Sequence, residues 1–476
     1  MATISAHVAS ACVSVLFLAA TLPAQTTPAQ TTDETAPAPG VSKVRIVRLS
    51  EVKGEVQVDR DTGRGFEPAM ANLPIVENSR LRTVMGVAEV EFEDNSTLRI
   101  TPDSIVEFPQ LERLQAGTTV SSVRVLKGMA YVSLVKTKGN EFNLLFGQQK
   151  LQLPPSSHIR LQVDWPDAKL AVLDGAVPID GPSGQTDVPK KKTVTFHLQN
   201  QVQPTLGKDV AAEAFDSWDK NAAGYHAQSA AMGALSNSPY AYGVGDMNYY
   251  GSFQNVGGCG SMWRPYFASA AWDPFSNGAW AWYQGAGYSW VSPYPWGWTP
   301  YHYGSWSYCS GAGWGWQPGG AWNGLNNSIA FVPKGGTGKV PFRPIAPPRA
   351  GESTLTAVNQ RPLIHSEVAS ADSFVFRKDS AGLGIPRDTL GKLDKFSEHA
   401  IKSGAVTTPI YISAPPASNA RSAGGAVAPG AIHRGTAPTS GAETSSRAGS
   451  FSNGGSSTVS GSTLSSHPAP ASGHPH

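Results

Sequence analysis

Three copies of one aromatic unit, G-x-[FW]-x6-G-x-x-W, follow one another in the middle of the chain and constrain its fold more than any other feature. The copies begin at Gly251, Gly278 and Gly304, and the two aromatic positions of every copy are ten residues apart. Aromatic residues bounded every few positions by Gly or Pro are typical of short strands and tight turns. The unit therefore predicts one hairpin per copy, in a small β domain of about three repeats.

The segment that contains these repeats, residues 240–322, is rich in aromatic residues and poor in charge. It holds eleven of the thirteen tryptophans, eleven of the fourteen tyrosines and sixteen glycines, and its charged residues are Asp246, Arg264 and Asp273. So few proton-transfer groups argue for a framework or a contact surface rather than a catalytic cleft. Asp246 and Asp273 could be imagined as a glycosidase pair, but Asp273 precedes Pro274, a turn context in which Asp commonly accepts backbone hydrogen bonds.

The indole rings of this segment have two possible roles. A single ring is more often part of a core, because each buries a large apolar area. Eleven rings are nevertheless more than a small core readily encloses, and W-x-W pairs on a strand would place both rings on the same face. Exposed rings of this kind suit sugars, proline-containing peptides or another protein. We therefore expect a binding surface formed by Trp280, Trp282, Trp290, Trp296, Trp298, Trp314 and Trp316.

Two of the three cysteines lie in the aromatic repeats. Cys259 is in the first copy and Cys309 in the third, whereas Cys12 lies near the amino terminus. In an oxidising compartment such a pair is usually bridged, and the bridge would tie the ends of the array together. The alternatives are a metal site, for which His302 is the neighbouring ligand, and two inert buried thiols. We expect a Cys259–Cys309 disulfide and no metal.

The amino terminus has the features of an export signal, although its first residues lack Lys and Arg. The apolar run from Ala11 to Leu22 is too short to span a bilayer comfortably, and Leu22-Pro23-Ala24 before Gln25 is an acceptable cleavage site. A buried or membrane segment is the alternative. We expect residues 1–24 to be a signal peptide and 25–41 a flexible leader. The mature protein would then have no transmembrane span and would reside in the periplasm, on the outer surface or outside the cell.

Short strands separated by Gly, Pro, Asn or Asp predict an all-β domain over residues 42–200. The run from Glu89 to Glu93 alternates polar and apolar residues, turns at residues 94–96 and returns through Leu98 and Ile100. This pattern predicts a hairpin with one solvent-facing side. The predicted fold class is mainly β, with this domain followed by the aromatic repeat domain.

Several motifs of the first domain resemble the FecR domain, the periplasmic module of bacterial regulators that respond to iron-siderophore uptake. They are the alternating strand and turn just described, together with Leu81-Arg82-Thr83, Leu126-Lys127-Gly128 and the run from Val172 to Val177. The resemblance covers about residues 42–198 and implies a sensor of an envelope partner. In those regulators a σ-binding segment and a transmembrane helix precede the domain; this chain is expected to have neither, which argues against σ regulation. The aromatic repeats resemble an uncharacterised Trp-rich domain often found after FecR-like domains in exported proteins.

The remaining segments are predicted to be a linker and a tail. Within residues 208–232, apolar residues at helical spacing predict a connecting helix that ends at Gly224 and docks through Phe215 and Trp218; a partner-binding helix is the alternative. Residues 323–476 are rich in Pro, Gly, Ser and Ala and are predicted to be mostly disordered, with one short helix over 386–403. The two histidines at the carboxyl terminus are expected to be incidental rather than a metal site.

Charge and motifs limit the classes of function. The formal net charge is +2 and the isoelectric point is about 8.3, so nucleic acid is not an expected partner. The sequence lacks HExxH, G-x-S-x-G and P-loop motifs, and we expect neither an enzyme nor a cofactor. The predicted function is an exported envelope or extracellular interaction protein that binds a cell-wall polysaccharide or an envelope protein. The alternative is a FecR-like periplasmic sensor.

Overall fold

A computed structural model describes residues 44–181, 184–199, 203–231, 238–325, 331–334, 346–348, 355–370, 373–387 and 400–401. The predicted signal peptide and leader lie outside the described residues. The chain is mainly β, as the sequence predicted. Among the described helices, none combines the length and the apolar character needed to cross a membrane.

The first part of the chain is built from strands. These are β1 Val47–Lys53, β2 Val56–Asp59, β3 Glu67–Pro68, β4 Pro74–Ile75, β5 Arg80–Thr83, β6 Val87–Glu91, β7 Thr97–Ile100, β8 Ser104–Arg113, β9 Thr119–Ser133, β10 Glu141–Phe146, β11 Gln149–Leu153, β12 His158–Asp164, β13 Asp167–Asp174, β14 Ala176–Gly181, β15 Gly184–Pro189, β16 Lys192–His197 and β17 Thr205–Gly207.

The second part combines three helices with further strands. They are α1 Asp216–Ala231, α2 Val244–Tyr250, β18 Gly251–Val256, β19 Gly260–Pro265, β20 Asn277–Tyr283, β21 Gly287–Val291, α3 Thr299–His302, β22 Ser305–Cys309, β23 Gly313–Gln317, β24 Phe331–Lys334, β25 Leu355–Asn359, β26 Glu367–Ser370, β27 Ser373–Arg377 and β28 Ala400–Ile401.

Strand β9 organises the first domain because its two halves pair with different neighbours. Its first half lies between β8 and β10, and its second half lies between β7 and β12. From there the sheet continues through β13, β16 and β17 on one side and through β6, β1 and β4 on the other. The core residues come from both halves and include Val123, Val125, Ala130 and Val132 of β9 itself, all fully buried. Side chains from both halves of this one long strand thus enter the core of the domain, because alternate residues of a strand face the same side.

The predicted hairpin of residues 87–100 forms, but its polar side does not face solvent. Strands β6 and β7 pair antiparallel, with Glu89 opposite Arg99. Glu89, Glu91 and Glu93 are all buried, at 0%, 3% and 7% exposure. The prediction of a wet face was wrong because arginines from neighbouring elements and later parts of the chain cover these carboxylates.

Each aromatic repeat folds as one antiparallel hairpin, which confirms the prediction from the sequence. The three hairpins are β18–β19, β20–β21 and β22–β23. In every copy the two aromatic positions of the unit are direct cross-strand partners: Phe253 with Trp263, Trp280 with Trp290, and Trp306 with Trp316. The ten-residue spacing is therefore the register of a hairpin with a three-residue connection, and it sets one aromatic pair per copy.

The first glycine of each repeat makes room for the second tryptophan. A Cβ atom at Gly251, Gly278 or Gly304 would overlap the indole of Trp263, Trp290 or Trp316. The second glycine of the unit has a left-handed φ of 80° to 87° in all three copies, at the end of the turn. The repeat unit thus encodes a turn, a cross-strand aromatic pair and a glycine against which the second indole ring packs.

The second hairpin lies between two cores. Ala279, Ala281 and Tyr283 belong to the apolar cluster of the first domain, whereas Trp280 and Trp290 belong to the cluster of aromatic rings. Strand residues alternate between the faces of a sheet, so small residues on one side let this hairpin approach the first domain closely. The regions predicted as separate domains, 42–200 and 240–322, consequently share one core and form one compact unit.

The linker helix differs from its prediction. Helix α1 begins at Asp216 and continues through Gly224 to Ala231. Among the residues of α1 whose burial is described, Asp219 and Tyr225 are buried, while Trp218 and the preceding Phe215 are only half-buried. The apolar stripe missed these contacts because the helix docks mainly through a carboxylate and a phenol.

The predicted disordered tail contributes to the folded unit. Strand β25 pairs with β20, and Phe376 stacks on Phe267 with ring centroids 5.3 Å apart. Most of the predicted helix over 386–403 lies outside the described residues, but Ala400–Ile401 forms a short strand parallel to Phe376–Arg377, which corrects that prediction there. Composition alone did not reveal the contacts of β25 and Phe376 because their partners are more than 70 residues earlier in the chain.

The packing of the Trp290 ring against Gly278 in the second repeat can be tested with Gly278→Ala. We expect this change to lower the free energy of unfolding by about 1–3 kcal/mol or more, because the added methyl group must displace the Trp290 ring. Urea denaturation monitored by circular dichroism measures it.

Gly224→Ala is the matched control. Gly224 lies in α1 with no atom within 4 Å of the added methyl position, so this change should stabilise the protein by up to about 1 kcal/mol. Equal effects of the two substitutions would contradict the proposed role of Gly278.

Candidate functional site

The predicted aromatic binding surface is largely a core. Trp280, Trp290, Trp296, Trp298, Trp314 and Trp316 are at most 5% exposed, and Trp282 is half-buried. The expectation of an exposed platform was therefore wrong for six of the seven rings. The W-x-W logic also failed at 296–298, which lies in a turn before α3 rather than in a strand.

The rings pack mainly against one another. Trp296 lies at the centre of the cluster, 4.9 Å from Trp263, 5.1 Å from Tyr294 and 5.9 Å from both Trp272 and Trp306, measured between ring centroids. Its indole N–H donates to the carbonyl of Ala381 at 2.6 Å. A domain with few aliphatic residues thus obtains its core from large rings. Residues 355–370 and 373–387, which we call the carboxyl-terminal segment, help to enclose that core.

The predicted disulfide is present. Cys259, in the turn of the first hairpin, is bonded to Cys309, at the end of β22, with their Cα atoms 6.2 Å apart. Strand β19 meets β23 in the same sheet through Trp263 and Trp316. The bridge therefore joins the first and third repeats beside their shared sheet, as the positions of the cysteines in the repeats suggested.

The disulfide should contribute measurably to stability. Cys309→Ser removes the cross-link between residues 50 positions apart, and the chain-entropy model gives a loss of about 4 kcal/mol. Urea unfolding of the variant and of the parent protein measures the loss. Two free thiols in parent protein isolated without reductant would contradict the structure.

A buried set of ion pairs lies where the first domain, helices α1 and α2 and the carboxyl-terminal segment meet. Three arginines face four carboxylates in this interface ion cluster, and most of the side chains are within a few per cent of complete burial. Its members are Arg48, Glu89, Glu91, Arg99, Asp219, His226, Asp246 and Arg387.

Asp246 and Glu89 are the centres of the interface ion cluster. Asp246 accepts contacts from Arg48 at 2.6 Å and from Arg387 at 2.8 Å, and the hydroxyl of Tyr225 donates to it at 2.5 Å. Glu89 is bound by Arg99 at 2.8 Å and by Arg387 and His226 at 3.0 Å. Arg387 therefore joins the acid of α2 to the acid of β6.

The electrostatics of the cluster favour charged side chains. Burial opposes ionisation of Glu89, but His226, Arg99 and Arg387 outweigh it and hold its pKa well below the usual value. Burial likewise opposes ionisation of Asp246, yet Arg387 and Arg48 lower its pKa. The pKa of Tyr225 is raised well above its usual value by burial and by Asp246, so the phenol stays protonated. The groups of the cluster thus neutralise one another.

Removing one partner of the cluster should be costly. Arg387→Met keeps most of the side-chain volume but leaves Asp246 and Glu89 without a shared cation, so we expect a loss of about 3–5 kcal/mol in the free energy of unfolding.

Arg361→Met is the matched control, because Arg361 is exposed and its guanidinium donates to the carbonyl of Ala271 at 3.0 Å outside the interface ion cluster. This variant should stay within about 0.5 kcal/mol of the parent protein. Urea denaturation at pH 7 compares the variants, and a loss of less than 1 kcal/mol for Arg387→Met would contradict a stabilising cluster.

Asp246 and Asp273, the carboxylates that could be imagined as a glycosidase pair, are each engaged by other groups. Asp246 is enclosed by arginines, and Asp273 accepts the N–H of Phe275 at 2.8 Å within its own turn. Burial disfavours the charged form of both Asp273 and His302. It therefore raises the pKa of the Asp273 carboxyl to about 6 and lowers the pKa of the His302 imidazole to about 4. Within the described part of the chain, no cluster of three or more His, Cys, Asp or Glu side chains could hold a metal.

An open groove runs along the outer side of β8. One depression of about 460 Å³ lies between the first domain and the second hairpin, where Tyr283 and Gln284 form part of its wall. A second depression of about 650 Å³ lies over β8 and β11. Both are lined by Glu77, Leu111 and Glu112, so the two depressions adjoin each other along β8, and we name them together the β8 groove. No sequence pattern predicted this groove, because its walls come from strands distant along the chain.

Comparison with known proteins gives a family for part of the chain. Residues 244–347 match the model of a family described as "Family of unknown function (DUF6600)". The match includes α2 and the three aromatic hairpins. No curated protein matches the chain.

Solved structures give only a distant likeness. Two crystal structures of a putative anti-sigma factor from Parabacteroides distasonis ATCC 8503, at 2.50 and 1.65 Å resolution, are 12% and 10% identical to this chain, with TM-scores of 0.24 and 0.23. Each alignment covers 27% of this chain and 59% of the other protein, so the chain spans about three-fifths of the length of that relative. At these TM-scores the likeness supports no conclusion about fold or function.

Proposed function

We propose that this chain is an exported, non-enzymatic interaction protein of the cell envelope or the extracellular space. The observation that carries the proposal is the Cys259–Cys309 disulfide, since such bridges form and persist in oxidising compartments. The apolar run and cleavage pattern at the amino terminus agree with export.

Binding rather than catalysis is supported by how the ionisable groups are used. The carboxylates of Glu89 and Asp246 are buried in ion pairs, which leaves neither free to transfer protons. The aromatic rings form a core instead of a cleft. The open, partly acidic β8 groove is then the best candidate for a contact surface, in place of the aromatic face that the sequence suggested.

A FecR-like sensor is the second candidate. The motifs that resemble the FecR domain lie on strands of the first domain, including β5, β6, β7 and the end of β13. In this case an inner-membrane protein with a cytoplasmic output would be the partner, whereas a binder of the cell wall would be retained on polysaccharide.

Export and binding can be tested together. Amino-terminal sequencing of protein recovered from the envelope or medium should show a first residue at or near Gln25; protein that still begins with Met1 would contradict export by cleavage. A pull-down from envelope extract, run beside sedimentation with purified peptidoglycan and other insoluble polysaccharides, separates a protein partner from a glycan.

A further inference from the structure

One end of β8 is an open strand edge. On the side of β5, pairing extends from Ser104 to Glu107, and Phe108 continues it by exchanging backbone hydrogen bonds with residues 78–79 at 2.8 and 3.0 Å. Strand β8 runs on to Arg113, where β9 pairs with it on the opposite side. Among the described residues, no strand pairs with β8 beyond Phe108 on the β5 side.

A carboxylate occupies the place of a strand at this edge. The N–H of Leu111 donates to Oε2 of Glu77 at 3.0 Å. In an antiparallel ladder, both backbone groups of a residue point to the same side, and the side alternates along the strand. Because the N–H of Leu111 points away from β9, its carbonyl and the backbone groups of Arg113 are directed to that side as well. Glu77 thus marks the position that the carbonyl of an added strand would take.

The β8 groove follows this edge and has a charge preference. Asp61, Glu77 and Glu112 are exposed along it, and Lys150 is an exposed cation at one end. Three arginines also line it, but each guanidinium is already paired at 2.8 Å: those of Arg45 and Arg113 with Glu93, and that of Arg60 with Glu67. The centre of the groove therefore favours a cationic occupant.

We propose that the β8 groove binds an extended, cationic segment of a partner polypeptide, which adds to β8 as a further strand and places a Lys or Arg side chain beside Glu77 and Glu112. Main-chain hydrogen bonds supply affinity in this mode of recognition, and side-chain charge supplies selectivity. The inference rests on the proposed role as an interaction protein and names the class of its partner. Glu77 also disfavours pairing of the edge with other strands. A strand without a cation would have to displace the Glu77 carboxylate from the N–H of Leu111 without gaining an ion pair.

A synthetic octapeptide of alternating Lys and Val, labelled with a fluorophore, is the probe. Fluorescence anisotropy with the purified full chain should show saturable binding that weakens with salt. Glu112→Lys should weaken it by about tenfold or more, since it reverses an exposed charge in the groove.

Glu55→Lys makes the same chemical change at the other end of the sheet. Glu55 is exposed, and its carbonyl accepts from Val84, next to the Thr83–Ser104 pair, seven residues along β8 from Leu111. This variant should bind the probe within about twofold of the parent protein. Circular dichroism of both variants verifies their folding.

Two further peptides test the backbone and the charge. The same octapeptide with every internal amide N-methylated keeps its charge but cannot donate to a strand edge, and it should bind at least about tenfold more weakly. A Glu-Val octapeptide should not bind measurably. Equal binding of the methylated peptide, equal binding of the anionic peptide, or no binding of the Lys-Val probe would overturn the proposal.

Other occupants would also be recognised. A concentration-dependent dimer that is lost in Glu112→Lys, seen by analytical ultracentrifugation, would assign the groove to a second copy of this chain and overturn the proposal. Polysaccharide retention that is lost in the same variant would assign it to a glycan and overturn it as well. None of these outcomes alters the amino-terminal sequence of exported protein, so failure of this inference is distinguishable from failure of the proposed export.

Discussion

The buried contact between Arg387 and the acids Glu89 and Asp246 is the interaction on which the arrangement of the molecule depends. It joins a strand of the first domain, a helix beside the aromatic repeats and a segment that sequence composition assigned to a disordered tail. Buried charges are stable only when they are paired and hydrogen-bonded, so these elements must assemble in one geometry. Arg48 and Arg99 extend the same requirement to β1 and β7.

The apolar contacts around this cluster reinforce the same arrangement. One face of the second hairpin packs on the first domain through Ala279 and Ala281, and the other face carries Trp280 into the aromatic core. Asn72 fixes the segment after this hairpin by donating to the carbonyls of Ser292 and Tyr294 at 3.0 and 2.7 Å. The β8 groove, whose walls come from both parts, is consequently bounded by elements that pack against each other.

The repeat sequence predicted local structure well because its physical causes are local. A spacing of ten residues from one aromatic position to the next fits a hairpin with a short turn. One glycine of each unit adopts the backbone conformation of the turn, and the other leaves space for the second indole ring. The Glu89–Arg99 pair could also have been found, since a turn at residues 94–96 sets these residues opposite each other. What the pattern could not show was that further arginines would cover the same carboxylates and exclude water.

The positions of the tryptophans were determined partly by the sequence and partly by the tertiary structure. Sequence alone determined a mainly β chain, three aromatic hairpins and a cysteine pair placed to join the first and third of them, because turn chemistry and strand alternation act over a few residues. Tertiary structure decided that six of the seven predicted surface rings are buried, that residues 355–370 and 373–387 complete the core and that, in the described part of the chain, no strand pairs with β8 beyond Phe108 on the β5 side. Burial and strand pairing depend on residues brought together from distant parts of the chain, and a sequence pattern records which face a side chain takes but not what comes to cover that face.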